Sequence, residues 1–440
     1  IITDFSLYLL CCCARRTGAA SYIDVVRFAF GPMAEICITG ILWFFLSGVL
    51  VAFNVLLMGI FAPLARDFVT TFTSIDMTVI DEKQFDILVL LAIIVLISPL
   101  MLQKNLYALR HICYVGFTSV CVIAVSIGYR AYQRITIDIV GVIPAGLIGT
   151  DMQIKFMTDD WMDALHAFPI IVLAFMCSFN VVEVQGALEN PTRERVKSVI
   201  HISVTSCFVL FQLFGLAGYF YAYDACRGNI FLNFDPSDSL IIVGRLGMGL
   251  TLMFGTPVVT LPCREACLSL ISQIQSRWRD SQDSAILEKQ SELDGLVDTA
   301  HTTLLNSNMD SYSSFTPGEV EIDEGICDIS AGICDISAEF SNPVEEDIRQ
   351  DHNMLAHVGI TFMIASFAFL GAVSVPGVEF VWSILGSSLG MLIGFIIPSA
   401  CYLKIRGGKG MGRNTNIGAF ALLVFSILVA VACTIGGLSS

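Results

Sequence analysis

The sequence predicts an all-helical integral membrane protein with many spans. Three observations carry that prediction: a mean hydropathy of +0.74, a charged fraction of only 14%, and apolar runs that recur along the 440 residues. Soluble domains carry about 25% charged residues. Roughly 20 apolar residues cross a hydrocarbon core of about 30 Å as a helix, and lipid offers no partner to an unpaired backbone group.

Ten apolar segments are expected, A to J, at about 1–14, 36–63, 85–102, 111–129, 164–184, 199–222, 239–262, 354–374, 379–403 and 418–437. Segment A begins at Ile1 inside an apolar run and ends before Arg15 and Arg16. Charges on that side do not suit a signal peptide, so the segment reads as the second half of a truncated membrane helix. Lys and Arg fall mainly in alternate short connections, with 3, 2, 3 and 4 in A–B, C–D, E–F and I–J against 2, 3, 1 and 0 in B–C, D–E, F–G and H–I. Positive residues stay on the cytoplasmic side. The G–H loop is therefore expected in the cytoplasm and the C-terminus outside or in a lumen.

The net charge of −15 belongs mostly to that loop. Residues 263–352 hold 19 acidic and 5 basic residues. The organisation expected is membrane segments A–G over 1–262, an acidic disordered cytoplasmic loop over 263–352, and segments H–J over 353–440. The loop is too polar to bury a core of its own. It repeats GICDISA at 325–331 and 332–338, which reads as a replication slip or a short regulatory motif, and it offers a surface to a cytoplasmic regulator. The acidity argues against nucleic-acid partners, which need clustered positive charge.

Fifteen cysteines are scattered, mostly in apolar runs, without CxxC spacing. They read as small hydrophobes. Cys11, Cys12 and Cys13 beside Arg15 and Arg16 also suit acylation at the membrane face. The histidines form no cluster, so no metal or cofactor is expected. No phosphate-binding loop, hydrolase elbow or dinucleotide fingerprint appears in context, which argues against an enzyme.

Segment E carries the strongest polar signal, HAFPIIVLAFMCSFNVVEVQGALENPT. Cys177, Ser178, Phe179 and Asn180 lie deep in it, with Glu183 one turn further on. Polar residues at that depth face a cavity or a neighbouring helix, and broken helices near the bilayer midplane form binding sites in secondary transporters. Glu183 reads as a proton-carrying carboxylate or an interfacial residue. Asn54 in segment B reads as a ligand contact or a bond between helices. Arg245 in segment G reads as snorkelling or as a buried ion pair. Thr251 and Thr256, with Gly255 and Pro257, form a small polar stretch that suits a cation or close helix packing.

Four stretches then resemble one family: SYIDVVRFAFG at 21–31, FPIIVLAFMCSFN at 168–180 with NPTRERV at 190–196, VGRLGMGLTLMFGTPVVTLPCREA at 243–266, and ILGSSLGMLIGFIIPSACYLKI at 384–405. In order and spacing they resemble the amino acid/auxin permeases, nearest to the vacuolar and sodium-coupled neutral amino acid branches. The resemblance implies a LeuT-like five-plus-five inverted repeat plus one extra helix, with the first helix lacking here and segments A to J matching helices two to eleven. It implies alternating-access transport of amino acids coupled to Na+ or H+. Cys177, Ser178, Phe179, Asn180 and Asn54 would then meet substrate, and Thr251, Thr256 or Glu183 would serve coupling. Many relatives have Cys-His-Gln-Asn where this chain has Cys177, Ser178, Phe179 and Asn180, and sodium-coupled members place a hydroxyl near the segment G proline where this chain reads Met253, Phe254 and Gly255 ahead of Thr256 and Pro257, so both ions stay open. A nutrient sensor with little transport, a carrier of a polyamine or auxin-like acid, and a channel are the alternatives. A vacuolar or lysosomal membrane and the plasma membrane both fit.

Overall fold

The computed structural model describes residues 1–73, 81–103, 110–140, 161–227, 229–235, 238–309, 343–406 and 413–439. Every regular element among them is helical. The order is α1 (Ile2–Thr17), α2 (Tyr22–Phe30), α3 (Pro32–Thr73), α4 (Glu82–Met101), α5 (Arg110–Val140), α6 (Trp161–Ala174), α7 (Ser178–Ala187), α8 (Arg193–Ala222), α9 (Ser239–Met309), α10 (Pro343–Ser374), α11 (Val378–Ile384), α12 (Ile397–Arg406) and α13 (Arg413–Ser439). Two π-helical stretches, Leu385–Gly390 and Leu392–Ile396, join α11 to α12. Among the described residues, eight stretches are long and apolar enough to cross a membrane. They hold segments B, C and E to J; segments A and D lie in α1 and α5.

Local chemistry sets the ends. Ser21 and Asp24 form a reciprocal capping box at the start of α2. That pattern satisfies two of the donors a helix start leaves open. Gly18 (φ 72) and Gly31 (φ 88) end α1 and α2 in the left-handed region, where a Cβ is penalised. The NPTRERV stretch turns at Asn190, and Thr192 caps α8 by accepting from Arg195 N–H.

The chain divides into two units. The first, Ile1–Leu268 with Ile360–Ser440, is the helical bundle. Its main core joins α1, α2, α3, α6, α7 and α12 around Leu9, Leu10, Tyr22, Leu46 and Tyr402. Cys11, Cys12 and Cys13 are buried there, which places them in packing and away from an acylating surface. The far side of α8 presents Ile202, Phe208, Val209 and Leu213 outward, as a lipid-facing helix does. The second unit, Ser269–Gly359, carries the acidic segment. It enters as helix as far as Met309, while the GICDISA repeat lies outside the described residues.

Two arginines in α9 are buried. Arg245 is buried and does not snorkel, and among the described residues it forms no salt bridge: its Nη2 donates to Phe231 O at 2.7 Å and Phe234 O at 3.5 Å. Arg264 donates to Met101 O, Gln103 O and the Thr361 hydroxyl at 3.0–3.2 Å. It meets the open carbonyls and negative dipole end of α4, which is why a cation is tolerated there.

Candidate functional site: the broken helix between α6 and α7

Segment E is two helices. Helix α6 runs through Pro169 and stops at Ala174. Phe175 and Met176 tighten into i→i−3 bonds, to Val172 O at 3.3 Å and Leu173 O at 3.0 Å. Cys177 (φ −142, ψ 15) then opens α7 with no side-chain cap. The last carbonyls of α6 and the first N–H groups of α7 therefore meet at one place with few internal partners. Opposite dipole ends face each other there.

The segment packed against the break explains its position. A Cβ on Gly386 would lie 2.1 Å from Pro169 O, so only glycine lets α6 approach this closely. Gly390 and Gly394 receive Val172 and Met176. The π-helical register of 392–396 disturbs the normal carbonyl ladder, and three hydroxyls answer it. Tyr22 donates to Ile393 O at 3.0 Å, and Ser6 and Ser178 donate to Gly394 O at 2.6 and 3.4 Å. Ser6, Tyr22 and Ser178 are all buried.

Of the cavities that border the break, one of about 540 Å³ is lined by Asp4, Phe175 and His201 among others, and two more take in residues of the Cys177–Asn180 stretch. Of these two, one, of about 190 Å³, is lined by Cys177, Asn180, Gln185, Ile200 and Ser203 among others. The other, of about 380 Å³, lies between α3, α6, α9 and α11 and is lined by Phe45, Phe53, Met176, Phe179 and Trp382. Neither lining includes a charged side chain.

The remaining sequence-predicted residues lie elsewhere. Asn54 (3% exposed) and Thr256 (2% exposed) share a separate chamber of about 10 Å³. The Thr251 hydroxyl donates to Gly247 O at 2.9 Å and Gly116 O at 3.4 Å, tying α9 to α5. Glu183 is exposed on α7. No cluster of three or more metal-ligating side chains occurs among the described residues.

The profile of the family described as "Transmembrane amino acid transporter protein" matches residues 1–439. The chain belongs to that family. A Danio rerio protein named "Putative sodium-coupled neutral amino acid transporter 11" is 26% identical over 268 residues, 60% of this chain and 55% of its own length. Vacuolar amino acid transporter 5 of Saccharomyces cerevisiae is 23% identical over 360 residues, 80% of this chain and 68% of its own. Vacuolar amino acid transporter 7 of the same yeast is 26% identical over 186 residues, 42% and 37%. The match thus spans about half of the Danio rerio relative and about two thirds of the first yeast one. These names are of transporters and not of enzymes.

Within this member of the family, the break gathers Cys177, Phe179 and Asn180, while Ser178 turns to Gly394. Sequence reasoning missed Gln185, whose buried Oε1 has no hydrogen-bond partner among the described residues. Its signal was present: Cys177, Val181, Val184 and Leu188 recur at helical spacing, and Gln185 adjoins that face. Tyr22 and Ser6 were missed too, because their acceptors lie over 370 residues away in sequence.

Proposed function

We propose that this chain carries amino acids across a membrane by alternating access and takes its substrate at the break between α6 and α7. The observation that carries this reading is the uncapped discontinuity between two uncharged cavities. A free amino acid is a zwitterion. The N-terminus of α7 suits its carboxylate, and the carbonyl end of α6 suits its ammonium group. Asn180 and the backbone at Cys177 orient it, and Phe179 borders its side chain.

The broken helix and the motif order support a LeuT-like five-plus-five repeat with one further helix. The α6–α7 pair would then rock against a scaffold that includes α3 and α9. The coupling ion is a proton held at Glu183 or a sodium ion near the α9 hydroxyls of Thr251 and Thr256. The basic connections support a cytoplasmic acidic segment open to a regulator and a lumenal or outer C-terminus. The two yeast names support a vacuolar membrane.

The test is uptake of labelled amino acids by the reconstituted gene product that carries this chain, under proton and sodium gradients imposed separately. Saturable uptake driven by one gradient supports the reading and names the ion. Binding without flux favours a nutrient sensor with the acidic segment as its signalling surface. Flux that unlabelled amino acids do not compete with points to another solute.

A further inference from the structure

The three cavities beside the break differ in reach, size and lining. The one of about 540 Å³ touches Phe168, Val172 and Phe175 of α6 but no residue of α7. The one of about 190 Å³ follows α7 towards α8 and is smaller than the roughly 300–1,000 Å³ of ligand pockets. The one of about 380 Å³ falls in that range and takes residues from both sides of the break, Ala174 of α6 and Phe179 of α7. Its walls are aromatic and aliphatic. The Phe45 and Phe179 rings meet edge to face at 6.4 Å, and Trp382 of α11 adds a third ring. Among the described residues that line it, no side chain carries an oxygen, and the Trp382 indole supplies the one N–H. A charged group placed there finds no counter-charge, which is costly in a membrane interior. An apolar group gains with each methylene removed from water.

We propose that this cavity receives the substrate side chain and selects bulky apolar amino acids, the aromatic ones with leucine, isoleucine and methionine, over small, acidic and basic ones. The inference rests on the reading that substrate sits at the break, and it narrows amino acids in general to one class. A zwitterion held by the open N–H and carbonyl groups of the break has this cavity beside it, with Met176 and Phe179 on either side of Cys177. Size sets a lower bound on the side chain, because a short one leaves the aromatic walls without contact. Polarity sets the second bound. An apolar pocket rejects an added hydroxyl only weakly, so tyrosine follows phenylalanine closely. Glutamate, aspartate, lysine and arginine do not, because their charges would be buried unpaired. Val259 of α9 lines the same space, so a larger side chain at that position fills it.

The experiment measures the affinity of unlabelled amino acids for the purified full-length gene product, by ligand-induced thermal stabilisation and by competition with labelled uptake. It compares the unaltered protein with Val259→Phe and with Asn180→Leu. Phenylalanine, leucine and methionine are expected to bind at least about tenfold more tightly than alanine, and about a hundredfold more tightly than glutamate or lysine. Val259→Phe is expected to cut the preference for phenylalanine over alanine by about tenfold or more. That preference is a ratio, so a lower yield of folded protein does not move it. Glutamate or lysine binding as tightly as phenylalanine overturns the proposal, as does an unchanged ratio in Val259→Phe. If Asn180→Leu still weakens binding in either case, the break stands as the site and only the selectivity falls. If Asn180→Leu changes no affinity, or no amino acid binds at all, the reading of the break falls and takes the proposal with it.

Discussion

Two proline-bearing stretches of the bundle, α9 and the α6–α7 segment, behave oppositely. Helix α9 holds Pro257 and Pro262 and stays helical from Ser239 to Met309. The α6–α7 segment holds only Pro169, passes through it, and breaks six residues later at Phe175–Cys177, where there is neither Pro nor Gly. In α9 the neighbouring threonines reinforce the ladder, Thr256 donating to Leu252 O and Thr260 to Thr256 O. At the break, no comparable side chain closes the gap, and Cys177 caps nothing. The contrast teaches that proline alone does not place a discontinuity. The partner surface does: glycines that admit α6 and hydroxyls that complete the π-helical carbonyls.

Breaking that partner surface should have the largest effect. Gly386→Ala sets a Cβ against the Pro169 carbonyl, which is backbone and cannot swing aside. We expect at least a tenfold loss of folded protein on size-exclusion chromatography. Gly394→Ala meets only the flexible Met176 methyl at 3.2 Å and should keep most of its folded yield. Equal yields for the two variants contradict the close-approach argument.

Next, Tyr22→Phe removes the donor to Ile393 O and leaves a buried carbonyl bare, at a cost of about 1–3 kcal/mol. Thermal melting should fall by several degrees, with substrate affinity little changed. By contrast, Asn180→Leu should leave melting nearly intact and raise the apparent KM for uptake by about tenfold or more. If both variants shift the same parameter, support and site are not separate.

The smallest effect is expected at the opposite end of α9. Asp238 precedes that helix and accepts from Arg130 Nη2 at 2.6 Å. The Arg130 guanidinium holds its carboxyl below the usual carboxylate range. A depressed carboxyl contributes stability that is present above its unfolded pKa and is lost as pH falls through the folded value. Both side chains are partly exposed, so the pair is worth about 0.2–1 kcal/mol. Asp238→Asn should therefore lower Tm by about a degree or two at pH 7, and by progressively less as pH falls below the usual carboxylate range.

Much of the fold was legible in the sequence because lipid imposes long apolar runs, and segments B to J fall inside described helices. Polar depth also flagged Cys177 to Asn180. Other features were not legible, for physical reasons. The break has no local breaker residue, so periodicity runs straight across it. Ser178 looked like a ligand contact and instead meets Gly394 O, a partner fixed only by tertiary packing. Arg245 suggested snorkelling or an ion pair, yet it bonds backbone carbonyls that only the folded bundle brings near, as does Arg264.

The central claim is that substrate occupies the break, and Cys177 reports on it directly. Cys177 is partly exposed and lines the cavity beside Asn180, whereas Cys226 is exposed in the loop after α8. The measurement is alkylation of both thiols by a membrane-permeant maleimide, followed by mass spectrometry, with and without a saturating amino acid that the protein transports. The account predicts that substrate slows Cys177 modification severalfold and leaves Cys226 unchanged. An unchanged Cys177 rate, under conditions where uptake saturates, would contradict it.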